Sequence, residues 1–166
     1  MANKIQQANG TAILVSGAAG ADVAFSVEGL ADAAGRVAAQ HDFGAVPRDT
    51  HMVWSCEVQF QATPTQYATL DLYIAWAPDG DSTQIDGDVG ASDAALGDVD
   101  MRRNLQYVGS VVSENAAASE KCVASGVIPI RSRYGSFVAY NDSGATVNAT
   151  DSNFRLDIQP YSAEVQ

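Results

Sequence analysis

Positive charge, cysteine and histidine are all scarce in this chain. Nine Lys and Arg stand against 20 Asp and Glu in 166 residues, a net charge of −11, with a pI near 4.2. Such a surface repels nucleic-acid phosphates and anionic membranes, so neither is an expected partner. There are two cysteines, Cys56 and Cys122. Two in a chain this long do not make a disulfide framework, so buried structural thiols are expected, with a single disulfide as the alternative. No CxxC and no Cys/His cluster at zinc spacing occurs. The two histidines, His41 and His51, have no nucleophile partnered to them in sequence, and there is no GxSxG. A base, a nucleophile and an orienting group cannot be assembled, so the chain is read as not an enzyme and as needing no cofactor. No run is long and apolar enough to span a membrane. The start, Met1 to Gln7, lacks the apolar stretch of a signal peptide, and synthesis in a cytoplasm is expected.

What the chain does hold is a two-residue period. Along residues 51–61, Met52, Trp54, Cys56, Val58 and Phe60 share one parity. His51, Ser55, Glu57, Gln59 and Gln61 share the other, with Val53 the apolar exception. Strand side chains alternate between faces, so this is a strand with one dry and one wet side. A helix would group Met52 with Cys56 and turn Trp54 away. Leu70, Leu72, Ile74 and Trp76 repeat the pattern, as do Phe154, Leu156 and Ile158, with Arg155, Asp157 and Gln159 outward and Pro160 as the expected stop. Further strands are expected over 105–112, 122–130 and 134–140, with Pro129 marking an edge, and a weakly patterned one over 36–43. Residues 12–15 and 23–27, separated by Gly17-Ala18-Ala19-Gly20, read as a hairpin.

Hydrophobic residues make up 46% of the chain and charged residues only 17%, enough for one core and too few charges for a disordered chain. The expected fold is all-β: a two-sheet antiparallel β-sandwich of jelly-roll type, forming a single domain over residues 1–166 with extended N- and C-terminal arms. An immunoglobulin-like sandwich is the alternative, but the Cys56 to Cys122 spacing and a long middle loop fit it poorly.

That loop, near residues 77–103, is the richest in chemistry. Asp79-Gly80-Asp81 and Asp86-Gly87-Asp88 put carboxylates two residues apart in Gly-containing segments, weak candidates for a calcium site. The EF-hand spacing is absent, and acidic turns are common without any metal, so no metal is assigned. A helical turn over 92–96, capped by Ser92, is expected inside the loop. Arg102 and Arg103 follow it, and Arg131, Arg133 and Tyr134 come later. Arg and Tyr are enriched at protein interfaces, which makes these five the interface candidates, against solvated arginines as the plain reading. Three Asn-X-Ser/Thr triplets, at Asn9, Asn141 and Asn148, read as chance without a secretory start. The terminal arms could add strands to a neighbour or simply lie loose.

Several segments together resemble small virion proteins encoded among the structural genes of tailed bacteriophages. They are Ala2-Asn3-Lys4-Ile5-Gln6, Asp86-Gly87-Asp88-Val89-Gly90 through Ser92-Asp93-Ala94-Ala95-Leu96, Arg102-Arg103-Asn104-Leu105 and Ile130-Arg131-Ser132-Arg133-Tyr134. The likeness runs in order over most of the chain. It implies a capsid decoration (cement) protein: a β-sandwich, often a homotrimer, seated on the capsid exterior and partnered by the major capsid protein, with no catalytic residues. The rival readings are a tail-associated or carbohydrate-binding module, which needs Trp54 or Trp76 exposed, and a metal-dependent protein using Asp79, Asp81, Asp86 and Asp88.

Overall fold

The computed structural model describes residues 5–45, 49–80, 82–113, 121–150 and 153–165. Among them are twelve strands: β1 (Ile5–Asn9), β2 (Ile13–Ser16), β3 (Val23–Ala24), β4 (Ala34–Val37), β5 (His41–Asp42), β6 (His51–Gln59), β7 (Thr69–Ala77), β8 (Ala94–Ala95), β9 (Gln106–Val112), β10 (Lys121–Pro129), β11 (Tyr134–Asp142) and β12 (Phe154–Val165). They form two mostly antiparallel sheets packed as a β-sandwich. Sheet A runs β10-β6-β12-β2-β3, with β1 also on β12; sheet B runs β8-β4-β11-β7-β9, with β5 also on β11. No helix among the described residues is long and apolar enough to cross a membrane.

The two-residue period lays down the core. Met52, Trp54, Cys56 and Val58 of β6 are buried, and so are Leu70, Leu72, Ile74 and Trp76 of β7. With Phe137 of β11 and Phe154, Leu156 and Ile158 of β12 they fill the space between the sheets. Phe25 meets Phe154 edge to face, ring centres 5.4 Å apart. Cys56 and Cys122 are both free and buried in this core.

Three local expectations fail, each where a tertiary partner decides. Residues 12–27 do not form a hairpin: β2 and β3 run parallel, with Val15 opposite Val23. Asp22 is fixed to Leu14 at both ends, its N–H donating to the Leu14 carbonyl and its carboxylate accepting the Leu14 N–H at 2.8 Å. The chain therefore loops round, through Gly20 at φ +89°, and re-enters in the same direction. The strand expected over 36–43 is split into β4 and β5. Pro160 does not stop the last strand, which runs on to Val165. Pro160 falls between the stretch of β12 paired with β2, up to Ile158, and the stretch paired with β1, from Tyr161. A residue without an N–H is tolerated where no ladder bond is required.

The two arms are thus joined to each other, Asn9 opposite Tyr161 through Ile5 opposite Val165. The polar, Ala-rich stretch expected as a turn over residues 113–120 lies outside the described residues from 114 on, as do residues 1–4 of the N-terminal arm and the last residue of the C-terminal one.

Candidate interaction surface

The two outer faces of the sandwich are treated differently by the chain. Outward residues of sheet B include Val37, Ala75, Ala77 and Val138, all buried. What buries them is the acid-rich loop. Ile85, Val89, Leu96, Met101 and Leu105 of that segment pack on them in a second apolar cluster, joined by Tyr73 and Tyr134. The loop is a lid built of 3-10 turns (Ser82–Gln84, Asp86–Asp88, Val99–Asn104) and one strand. In place of the helical turn expected over 92–96 stands β8, which pairs with β4, Ala95 opposite Arg36. The open edge of β4 supplied backbone partners that a lone helical turn would have lacked. Gly87 is required where it stands: φ is +68°, and a Cβ there would come within 2.8 Å of the Met101 carbonyl oxygen.

The loop's carboxylates serve this packing. Asp93 accepts Arg36 Nε at 2.7 Å and the Ser26 backbone N–H at 3.2 Å. Burial opposes its ionisation, but the hydrogen bonds from Arg36 and Ser26 outweigh that and hold its pKa below the usual value. Asp86 accepts the Trp76 N–H at 3.3 Å, and Asp98 caps the last 3-10 turn by accepting the Asp100 N–H at 2.9 Å. Of the four weak metal candidates, Asp86 and Asp88 share one 3-10 turn, Asp79 precedes it at the end of β7, and Asp81 lies outside the described residues. Among the described residues no group of three or more His, Cys, Asp or Glu stands where it could hold a metal ion.

The interface candidates lie at two ends of the lidded layer. Arg102 stacks 3.7 Å above the Tyr140 ring, and Arg103 pairs with Asp100 at 3.1 Å. Six residues back along β11 is Tyr134, and Arg133 just before it forks onto Asp42 at 2.7 and 2.9 Å and sits 4.9 Å from the centre of the Tyr134 ring. The Arg133 hydrogen bond draws the Asp42 carboxyl down to about 2. Arg131 is exposed. Six residues of strand span about 20 Å, so these candidates do not converge on one spot.

Sheet A has no such lid among the described residues. Its outward rows read across β10, β6 and β12 as Val123, Glu57, Arg155; Ser125, Ser55, Asp157; Val127, Val53, Gln159; Pro129, His51, Tyr161. Val123 is 62% exposed, Val127 54% and Val53 37%. Around them the charges are paired within the face, Lys121 with Glu57 and Arg155 with Asp157 at 2.6 Å. His51 stacks on Tyr161 with ring centres 5.7 Å apart. A cleft of about 390 Å³ opens at the Lys121 end, lined by Leu14, Ser16, Glu57, Phe154 and Arg155. Single exposed valines are ordinary; Val127 and Val53 opposite each other on adjacent strands, with Val123 two rows along the same face, form a patch.

The interface candidates chosen for Arg and Tyr content miss this patch. Its sign was present in the pattern: Val53 broke the wet parity of β6, and Val123 and Val127 occupy the wet parity of β10. Compared with known proteins, the chain matches no family model, no curated protein and no solved structure.

Proposed function

We propose that this chain is a bacteriophage virion structural protein of the capsid decoration type. It works without catalysis, as a stiff sandwich that seats on an assembled shell of the major capsid protein and reinforces it. It is made in the host cytoplasm, forms a homo-oligomer, and resides on the capsid exterior. The observation that supports this best is the one-sided finish of the sandwich. Sheet B is lidded by the chain's own loop, while sheet A presents a flat face with exposed Val53, Val123 and Val127 and internally paired charges. A protein that grips neighbours needs such a face. The resemblance of the segments named above to small phage virion proteins supplies the rest of the argument. The acidic remainder keeps free copies soluble before assembly.

A carbohydrate-binding module would need a tryptophan as a stacking platform, but Trp54 is 3% and Trp76 5% exposed. That reading is therefore the weaker one. Mass spectrometry of purified particles tests the proposal: the protein is expected in stoichiometric amounts, and particles lacking it are expected to lose their contents at lower temperature. Its absence from particles would end the proposal.

A further inference from the structure

Molecules of like charge approach each other most easily where charge is locally cancelled. The chain carries −11 overall. In the outward rows of β10, β6 and β12, with Lys121 at their end, the acids and bases are Glu57, Asp157, Lys121 and Arg155, two of each sign. All of the net charge therefore lies outside these rows. The four are joined as Lys121–Glu57 and Arg155–Asp157 pairs at one end of the face; Val123 stands in the Glu57 row, and Val127 and Val53 share a row beyond Ser125 and Ser55.

We propose that a second copy of this chain docks on this face, valine row against valine row, across a two-fold axis. Elsewhere two copies repel over an acidic surface, and here they meet neutral ground. The face is also self-complementary: a two-fold rotation can bring Lys121 and Arg155 of one copy to Glu57 and Asp157 of the other, so no foreign partner is needed to match the charges. A basic partner, which the rest of the surface would attract, gains nothing at a face that is already neutral.

Size sets the strength. Three strands of nine residues or more, β10, β6 and β12, with the short β2 and β1 both along β12, stand about 4.8 Å apart and, at about 3.3 Å per residue, cover roughly 500 Å² per copy. The total of roughly 1,000 Å² sits at the lower limit of specific interfaces, so the contact is weak and concentration-dependent. Docking is face-on and not by strand addition. The edge strand β10 ends in Lys121 on one side and Pro129 on the other, residues that discourage a further strand.

The inference rests on reading sheet A's outer face as the contact surface, and does not need the protein to belong to a virion. Sedimentation equilibrium of the full chain from micromolar to millimolar concentration tests it. The mass is expected to climb from 17.4 kDa towards twice that value, and to climb sooner in higher salt, which screens the repulsion between copies. Val127→Lys places like charges against each other across the axis and is expected to weaken association about tenfold or more, while Val127→Ile retains it. The position is exposed, and an unchanged melting temperature checks that both variants fold. A chain that stays monomeric to millimolar concentration, that closes as a trimer, or that ignores Val127→Lys overturns the inference. A monomer whose Val127→Lys variant no longer joins particles gives the face to the shell: self-docking fails and the proposed function stands. A dimer absent from particles leaves self-docking standing and removes the proposed function.

Discussion

Trp54 shows how single residues hold the two sheets in register. Its indole lies between Gly126 of β10 and Gly109 of β9, one strand from each sheet. A Cβ at Gly109 would fall 2.3 Å from Trp54 Cζ2, and one at Gly126 2.8 Å from Nε1. The ring is buried and cannot swing aside, so these glycines are chosen for space and not for a special φ. Gly109→Ala is expected to destabilise the fold by about 1–3 kcal/mol, the usual penalty of overpacking, read from the urea midpoint. A midpoint equal to that of the natural chain would mean the indole has room to move. Asp93 is the second residue with leverage. Its folded pKa is depressed, and so is that of Asp42, to about 2. A depressed carboxyl adds stability that is present above the unfolded pKa of about 3.9 and is lost as pH falls through the folded value. The melting temperature is therefore expected to drop between pH about 4 and about 2. Asp93→Asn should lower it at neutral pH and flatten that part of the acid limb. An acid limb of unchanged slope in the variant would show that the Arg36 and Ser26 contacts carry no such linkage.

At the scale of elements, the acid-rich loop is the segment whose role changes most between sequence and structure. Read by composition it is an acidic stretch with spare carboxylates. Folded, it is held by five apolar side chains; Asp98 caps a turn, Asp93 and Asp100 pair with arginines, and Asp86 accepts the Trp76 N–H. Ile85 is central to that packing and nearly fully buried. Ile85→Ala is expected to cost about 2–4 kcal/mol and to open residues 78–105 to proteolysis before the rest of the chain. Cleavage first at some other loop would show that the lid is not the weaker layer. The strands themselves were legible because alternation needs no partner to be read: β6, β7, β9, β10 and β11 stand close to where the pattern of apolar residues puts them. The parallel β2–β3 pair, the passage of β12 through Pro160 and the strand at Ala94–Ala95 were not legible. Each is decided by something outside its own segment, respectively Leu14 held by Asp22, the gap between β2 and β1, and the free edge of β4.

At the scale of the molecule, the sandwich is asymmetric in a way that composition hides. One outer face is closed by the chain's own loop; the other, among the described residues, is left open and valine-bearing, with charges that balance in its outward rows while the chain as a whole carries −11. The buried tryptophans and thiols followed from parity alone. The valine-bearing face did not, because a valine on a wet parity reads as noise until the neighbouring strand places a second beside it. Cysteine labelling tests this asymmetry most directly. Val127→Cys and Ile85→Cys would be treated with a maleimide in dilute native protein. Cys56, whose thiol burial pushes up in pKa, and Cys122 serve as buried internal standards. The Val127 position is expected to react like an open thiol and the Ile85 position as slowly as the natural cysteines. Equal rates at the two positions, or a protected thiol at position 127 in dilute protein, would contradict a sandwich lidded on one side and open on the other.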